Sequence, residues 1–388
     1  MRTEVEIVIR REIEQVFGRS IISSRDCIEL SEEIFKRTQQ QLNPNTLRRF
    51  FGLVKADYPP SQSTLSILSK YCGFYSVEDA YSQKKSKPQD PESVDADSLI
   101  YYFDSLFREI HVRDNYDKQV FTLVKHTIRF LNDNPTVVDR FQRMISKTKN
   151  GQEVYFEQFV NTDKLNEYFG DGLRYYACEK NTAEAHLFSN SLQVFRYWLI
   201  DNTLKLKQHF DLLPLEENFL SLKYFVAGRY FAAQIFHAHV NKGSISEVLI
   251  NIYKYHSLLV KEHSEYQRLH FEYVVAEALA LCSNFPEALF YLDQTGSLPS
   301  KPVHHAFFTE QNFKLIKSLC LYRLGRISEA GALFDELKPS EFLFITKKIS
   351  GILYHYLASG LRRKNLKYRQ SQSSMIKETG FVMLEKYF

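Results

Sequence analysis

The chain has 388 residues, 44% of them hydrophobic, and a net charge of +4; that is enough for a sizeable core, and the length suits two domains. The five cysteines (Cys27, Cys72, Cys178, Cys282, Cys320) are far apart with no Cys-x-x-Cys pair, which excludes a disulfide framework and a zinc site and points to a reducing compartment. The opening MRTEVEIVIRREIEQ is charged throughout, unlike a signal peptide, and the best candidate for a membrane span, Ile349–Leu361, is too short. The expected location is the cytoplasm, with no membrane partner.

Glycine and proline are scarce, 14 and 11, so long helices with short links are expected. A first helix is predicted over 3–17, with Val5, Ile9, Ile13 and Val16 inward. A second follows Ser23 and Ser24, over 25–39, with Cys27, Leu30 and Ile34 on one side. A third is predicted over 45–55. There Leu47, Phe50, Phe51 and Val54 recur at helical spacing, and Asn45, Arg48, Arg49, Gly52 and Lys55 form the wet face. Asn45 or Thr46 is the expected cap, with Pro44 just before or at the start. After Pro59-Pro60, Ser61 or Ser63 opens a fourth helix over 62–72, with Leu65, Leu68, Tyr71 and Cys72 inward and a stop at Gly73. A short helix is expected after Ser76, where Asp79 completes a capping box.

The polar, proline-containing SQKKSKPQDPES reads as a linker. The expected division is therefore 1–82, a linker at 83–95 and a second domain at 96–388. Beyond it the pattern is helix after helix: DSLIYYFDSLFREI, KQVFTLVKHTIRFL, FLSLKYFVAGRYFAAQIFHAHV and SEVLINIYKYHSLLV all carry the 3.6-residue period. No stretch alternates like a strand, so the fold class is all-α.

Two late stretches are related. AEALALCSNFPEALFYLDQ and KSLCLYRLGRISEAGALFDEL align with Ala288 on Ala330, Glu287 on Glu329 and Leu292 on Phe334. Each is a helix, a tight break, and a helix opening with Glu-Ala. A small side chain there lets two helices approach closely. Earlier segments match this pattern poorly.

Positive charge is concentrated in two places. Ile34 to Ala56 holds Lys36, Arg37, Arg48, Arg49 and Lys55 without an acid. Residues 342–377 hold Lys347, Lys348, Arg362, Arg363, Lys364, Lys367, Arg369 and Lys377, again without one. The second reads as a solvated terminal face.

The segment LSEEIFKRTQQQLNPNTLRRFFG followed by PSQSTLSILSKYCGF resembles the lambda-repressor-like helix-turn-helix regulators. It is also similar to an N-terminal module of Bacteroidota proteins that carry a TL-[KR]-R-[LF]-FG…PS…TL run. The late pair resembles tetratricopeptide repeats, with Gly325 at the turn, Ala330 and Phe334 at packing positions and Pro339 soon after. The coupling of the two parts is similar to that of peptide-sensing regulators.

The resemblance implies an N-terminal helix-turn-helix bundle followed by a tetratricopeptide-like helical domain, acting as a sequence-specific DNA-binding regulator. By position, Asn45 to Lys55 would be the recognition helix, with Asn43, Asn45, Thr46, Arg48 and Arg49 toward the groove. Lys36, Arg37, Lys55, Ser61 and Ser63 would lie near phosphates. The connection from Arg37 to Pro44 is several residues longer than the turn of that class. The chemistry agrees: arginine reads guanine and asparagine adenine, each through two hydrogen bonds, and cations and hydroxyls hold phosphate. One module offers few contacts, so tight binding calls for a homodimer. A peptide or protein is the expected partner of the helical domain.

The rival reading is a non-enzymatic interaction scaffold whose N-terminal helices pack or dimerise without DNA. No phosphate loop, His-Glu-x-x-His or nucleophile elbow occurs, and no enzyme, cofactor or metal is expected. His237 and His239 point to different faces of a helix. His304 and His305 lack ligand partners, and Glu216-Glu217 suit a helix start. Tyr224, Phe225, Tyr230, Phe231 and Phe236 read as core first, with the lining of a concave peptide groove as the alternative.

Overall fold

Few positions in this sequence stop a helix, and helix dominates. The computed structural model describes the chain except Met1, Gly18, Ser20, 56–57, 73–95, 112–117, 214–218, 263–264, 295–309, 363–365 and Phe388. Among the described residues there is no strand, so the fold is all-α. The chain divides into two compact units, Met1–Ser98 and Leu99–Phe388. The helix expected after Ser76 and the linker expected at 83–95 lie outside the described residues.

The first unit packs α1 (Arg2–Phe17), α2 (Ser24–Thr38), α3 (Pro44–Phe50) and α4 (Gln62–Tyr71) around one core. Ile9, Ile13, Cys27, Leu30, Ile34, Leu47, Phe50, Leu65, Leu68 and Tyr71 are buried there, as their helical spacing predicts. Ser23 caps α2 and forms a capping box with Asp26. The Asp26 carboxyl is held below the usual range, chiefly by the Ser23 hydroxyl.

The basic helix is shorter than expected. It ends at Phe50, because Gly52 adopts φ +74°. The Leu53 N–H then bonds the Arg48 carbonyl at 2.9 Å and the Gly52 N–H the Arg49 carbonyl at 3.2 Å, a turn that a glycine makes without steric cost. Val54, expected inward, is 48% exposed, and Lys55 lies beyond the helix. The cap is Asn43 rather than Asn45 or Thr46. Pro44 takes the first helical position, where its missing N–H costs nothing.

In the second unit α5 (Ala96–Glu109), α6 (Lys118–Asp133) and α7 (Val138–Ile145) precede a π-helical segment, Gly151–Gln158, and α8 (Tyr168–Lys180). Four hairpins follow: α9 (Ala183–Leu199) with α10 (Thr203–Phe210), α11 (Tyr224–Val240) with α12 (Ser246–Glu262), α13 (Glu265–Leu281) with α14 (Phe285–Gln294), and α15 (Glu310–Arg323) with α16 (Ile327–Asp335). The chain closes with α17 (Lys347–Leu361), α18 (Leu366–Thr379) and α19 (Met383–Tyr387).

The four hairpin turns share one backbone geometry. Asp201, Lys242, Ser283 and Gly325 all have positive φ, at 56°, 51°, 64° and 77°. Beside each, the next N–H reaches back to a carbonyl five residues earlier. The pairs are Asn202 to Tyr197 (2.8 Å), Gly243 to Ala238 (2.9 Å), Asn284 to Leu279 (2.9 Å) and Arg326 to Leu321 (2.9 Å). The left-handed residue itself bonds three back, to Trp198, His239, Ala280 and Tyr322. This is the Schellman closure, which satisfies the last carbonyls of the first helix.

Only the last two hairpins are legible as related in sequence. Their Ala288 and Ala330 are fully buried, and the Ser318 hydroxyl donates to the Ala330 carbonyl at 2.9 Å. The first helices lie side by side, α9 against α11, α11 against α13 and α13 against α15. Aromatic side chains fill the contacts: Phe195 stacks on Phe236 at 4.8 Å, and Tyr230 and Phe231 are buried. These three α11 rings are core and not groove lining, while Tyr224 and Phe225 are half-buried.

Candidate nucleic-acid interface

The residues singled out around α3 separate into anchored and unengaged groups. At the end of α2, Lys36 is exposed and its ammonium has no ion pair or hydrogen bond among the described residues. Arg37 is engaged: its guanidinium lies 5.3 Å over the Tyr71 ring and 3.9 Å from the Glu33 carboxylate. The long connection to α3 is fixed rather than slack. Gln39 takes φ 56°, Leu42 is buried, and the Ser31 hydroxyl donates to the Leu42 carbonyl.

Asn43 spends its side-chain oxygen on the Asn45 N–H at 2.8 Å. Asn45 in turn accepts from Arg48 Nη1 at 2.8 Å, and Thr46 is half-buried. Arg48 is half-buried too, with Nε sealed from solvent and without a hydrogen bond. Its charge acts on the Cys27 thiol, which burial pushes up and Arg48 pulls down. Arg49 is exposed, with no ion pair or side-chain hydrogen bond among the described residues. Lys55 is exposed as well.

Ser61 caps α4, accepting from the Thr64 N–H at 3.2 Å, and its hydroxyl lies 2.9 Å from that of Ser63. Both serines are exposed. Lys70, in the last turn of α4, is a further exposed cation that the sequence reading passed over. A single lysine among apolar neighbours gives no periodic signal.

Several acids of this unit are paired along α1 and the start of α2. Glu6 pairs with Arg10, Asp26 and Glu29 with Arg19, and Glu29 also with Arg25. Among the described residues Lys36, Arg49, Lys55 and Lys70 carry no ion pair, and neither does Glu32, which is exposed and lines the same surface groove as Lys36. Burial pushes the Cys72 thiol up to about 12, so it offers no thiolate for chemistry.

The other residues singled out by sequence are structural or lie elsewhere. His237 stacks on Phe210 at 3.5 Å, and His239 Nδ1 lies 3.3 Å from the Cys282 carbonyl. Glu216, Glu217, His304 and His305 lie outside the described residues. Among the described residues no helix is long and apolar enough to cross a membrane.

The candidate interface is a short helix, α3, with exposed cations on it and on the flanking segments. No protein-family model matches the chain, and no curated protein or solved structure matches it either.

Proposed function

We propose that the chain is a sequence-specific DNA-binding regulator. Its N-terminal unit meets the duplex through α3, and its row of helical hairpins receives a peptide or protein. The observation that carries this reading is Arg49: an exposed guanidinium on a short helix, without an acidic partner among the described residues, beside an Asn45–Arg48 pair. Arg49 reads a base edge, the Asn45–Arg48 pair presents a second polar group to the groove, and Lys36, Lys55, Ser63 and Lys70 hold phosphates. Arg37, turned onto Tyr71 and Glu33, contributes little. A homodimer supplies the second half-site. Sequencing the chromosomal DNA that co-purifies with the full-length protein tests this. Enrichment of a recurring short sequence supports it, and a population identical to sheared input overturns it.

One observation favours the scaffold reading for the second unit. A groove of about 340 Å³ between α12 and α14 is lined by Leu249, Tyr253, Pro286, Glu287, Phe290 and Tyr291. Tyr253 and Phe290 are 59% and 44% exposed. An apolar surface of this kind suits a protein partner, and it lies on the second helices of two hairpins rather than on the first.

A further inference from the structure

The outer face of α12 combines exposed apolar side chains with two charges of opposite sign. Its inner face holds it in a set phase. Ile252, Tyr255, His256 and Leu259 are buried. The Tyr255 hydroxyl donates to the Leu222 carbonyl at 2.6 Å, and His256 Nε2 lies 2.6 Å from Glu272 Oε1. On the opposite side Ile250 is 55% exposed. Leu249 and Tyr253 lie on one flank of it, where they line the groove with Pro286 and Phe290 of α14. Glu247 and Lys254 lie on the other flank, because each residue turns the helix by about 100°. Both are exposed, and neither has an ion pair or a side-chain hydrogen bond among the described residues.

Glu247 and Lys254 stand two turns apart, about 10.5 Å along the axis, so they do not form the one-turn pair that charges on a helix usually make. Against a reversed copy of the same helix they match. The midpoint between them falls at Ile250, so a two-fold axis there sets each copy's Glu247 opposite the other's Lys254. The same register brings Ile250 onto its own counterpart and Tyr253, within about one residue, onto the other copy's Leu249. Pro286 and Phe290 wall the groove beside that contact, and Val260 lies beyond the overlap. A two-fold contact makes every interaction twice. A parallel arrangement would instead set Glu247 beside Glu247 and Lys254 beside Lys254.

We propose that the occupant of the α12–α14 surface is a second copy of this chain, docked α12 against antiparallel α12 through Ile250 and Tyr253, with reciprocal Glu247–Lys254 ion pairs at the rim. This rests on the reading of the groove as a protein-binding surface and names its partner. The apolar centre supplies the adhesion, and the rim charges set the register and direction of the helices.

The test is sedimentation of the full-length protein over a concentration series up to about 100 μM, which reaches weak as well as tight dimers. The wild type should dimerise. Tyr253→Glu should be monomeric, and Lys254→Glu should raise the dissociation constant about tenfold, because it sets like charges against each other at both ends of the contact. Adding Glu247→Lys to Lys254→Glu swaps the charges and should bring the dimer back. A wild type that stays monomeric overturns the proposal, as does a dimer indifferent to Tyr253→Glu or a charge swap that restores nothing. The DNA reading fails separately. A monomer that still enriches a recurring DNA sequence overturns this dimer alone, and a dimer with these mutational responses whose DNA matches sheared input supports the surface while the DNA reading falls.

Discussion

Ser283 and Gly325 hold the same backbone position, each left-handed and each followed by an N–H bonded to a carbonyl five residues earlier at 2.9 Å. One is a glycine, for which that conformation is free; the other carries a Cβ that makes it strained. Gly325→Ala should therefore destabilise the protein by about 1–2 kcal/mol, and Ser283→Gly should be neutral or stabilising by up to about 1 kcal/mol. Urea unfolding of both variants checks this. Equal effects at the two sites would mean the turns are not equivalent.

Arg48 and Arg49 are neighbours in sequence with different duties. Arg49→Ala should weaken DNA binding by about 1–3 kcal/mol while melting like the wild type. Arg48→Ala should lose stability as well, by about 1 kcal/mol, because its bond to Asn45 and its packing near Cys27 go with it. Fluorescence anisotropy over a salt series, beside thermal melting, separates the two. Removing Lys36 or Lys55 should leave sequence preference intact and flatten the salt dependence by about one unit of slope.

How far the sequence could be read is clearest at these helices. Burial of Ile9, Ile13, Leu30, Ile34, Leu47, Phe50, Leu65 and Leu68 follows from spacing alone. The end of α3 did not, because a periodic apolar pattern runs on through Gly52 to Val54, and only the left-handed turn shows that the backbone has left the helix. The earlier hairpins were hidden for a related reason. Asp201 and Lys242 do at their turns what Gly325 does, and nothing in those side chains announces it. Which arginine is anchored and which is free was likewise illegible, since it depends on Asn45 taking up Arg48.

Leu47→Ala or Phe50→Ala should destabilise the first unit by about 2–5 kcal/mol, because each side chain is at most 3% exposed and its loss leaves a cavity under α3. Hydrogen exchange of the α2–α4 amides in the full-length chain would show the loss locally. Unchanged protection there would contradict the packing described.

Asp163 accepts from the Lys348 and Ile349 N–H groups at 2.8 and 3.2 Å at the start of α17. Burial nonetheless raises its carboxyl from 3.8 to about 6. With the folded value above the unfolded one, its contribution is present below about pH 4 and lost as the pH rises through about 6. That loss is on the order of 2 kcal/mol once partial exposure is allowed for. Asp163→Asn should lack this part of the pH dependence, so the stability difference between variant and wild type should shift in the variant's favour from pH 4 to pH 7. Urea melts at the two pH values measure it, and a difference that does not move would refute the assignment.

The four matching turns make helix phase the quantity this array cannot let drift. One residue added inside α13 or α15 would rotate everything after it by about 100°, carrying Ala288 or Ala330 off the contact it fills. After the turn the constraint relaxes: α10, α14 and α16 begin directly behind Asn202, Asn284 and Arg326, whereas α12 waits from Gly243 until Ser246. Length can vary there because the preceding helix is already closed. Insertions should accordingly be tolerated behind the turns and nowhere ahead of them within the paired helices, a rule of spacing that outlasts the side chains on which it was first built.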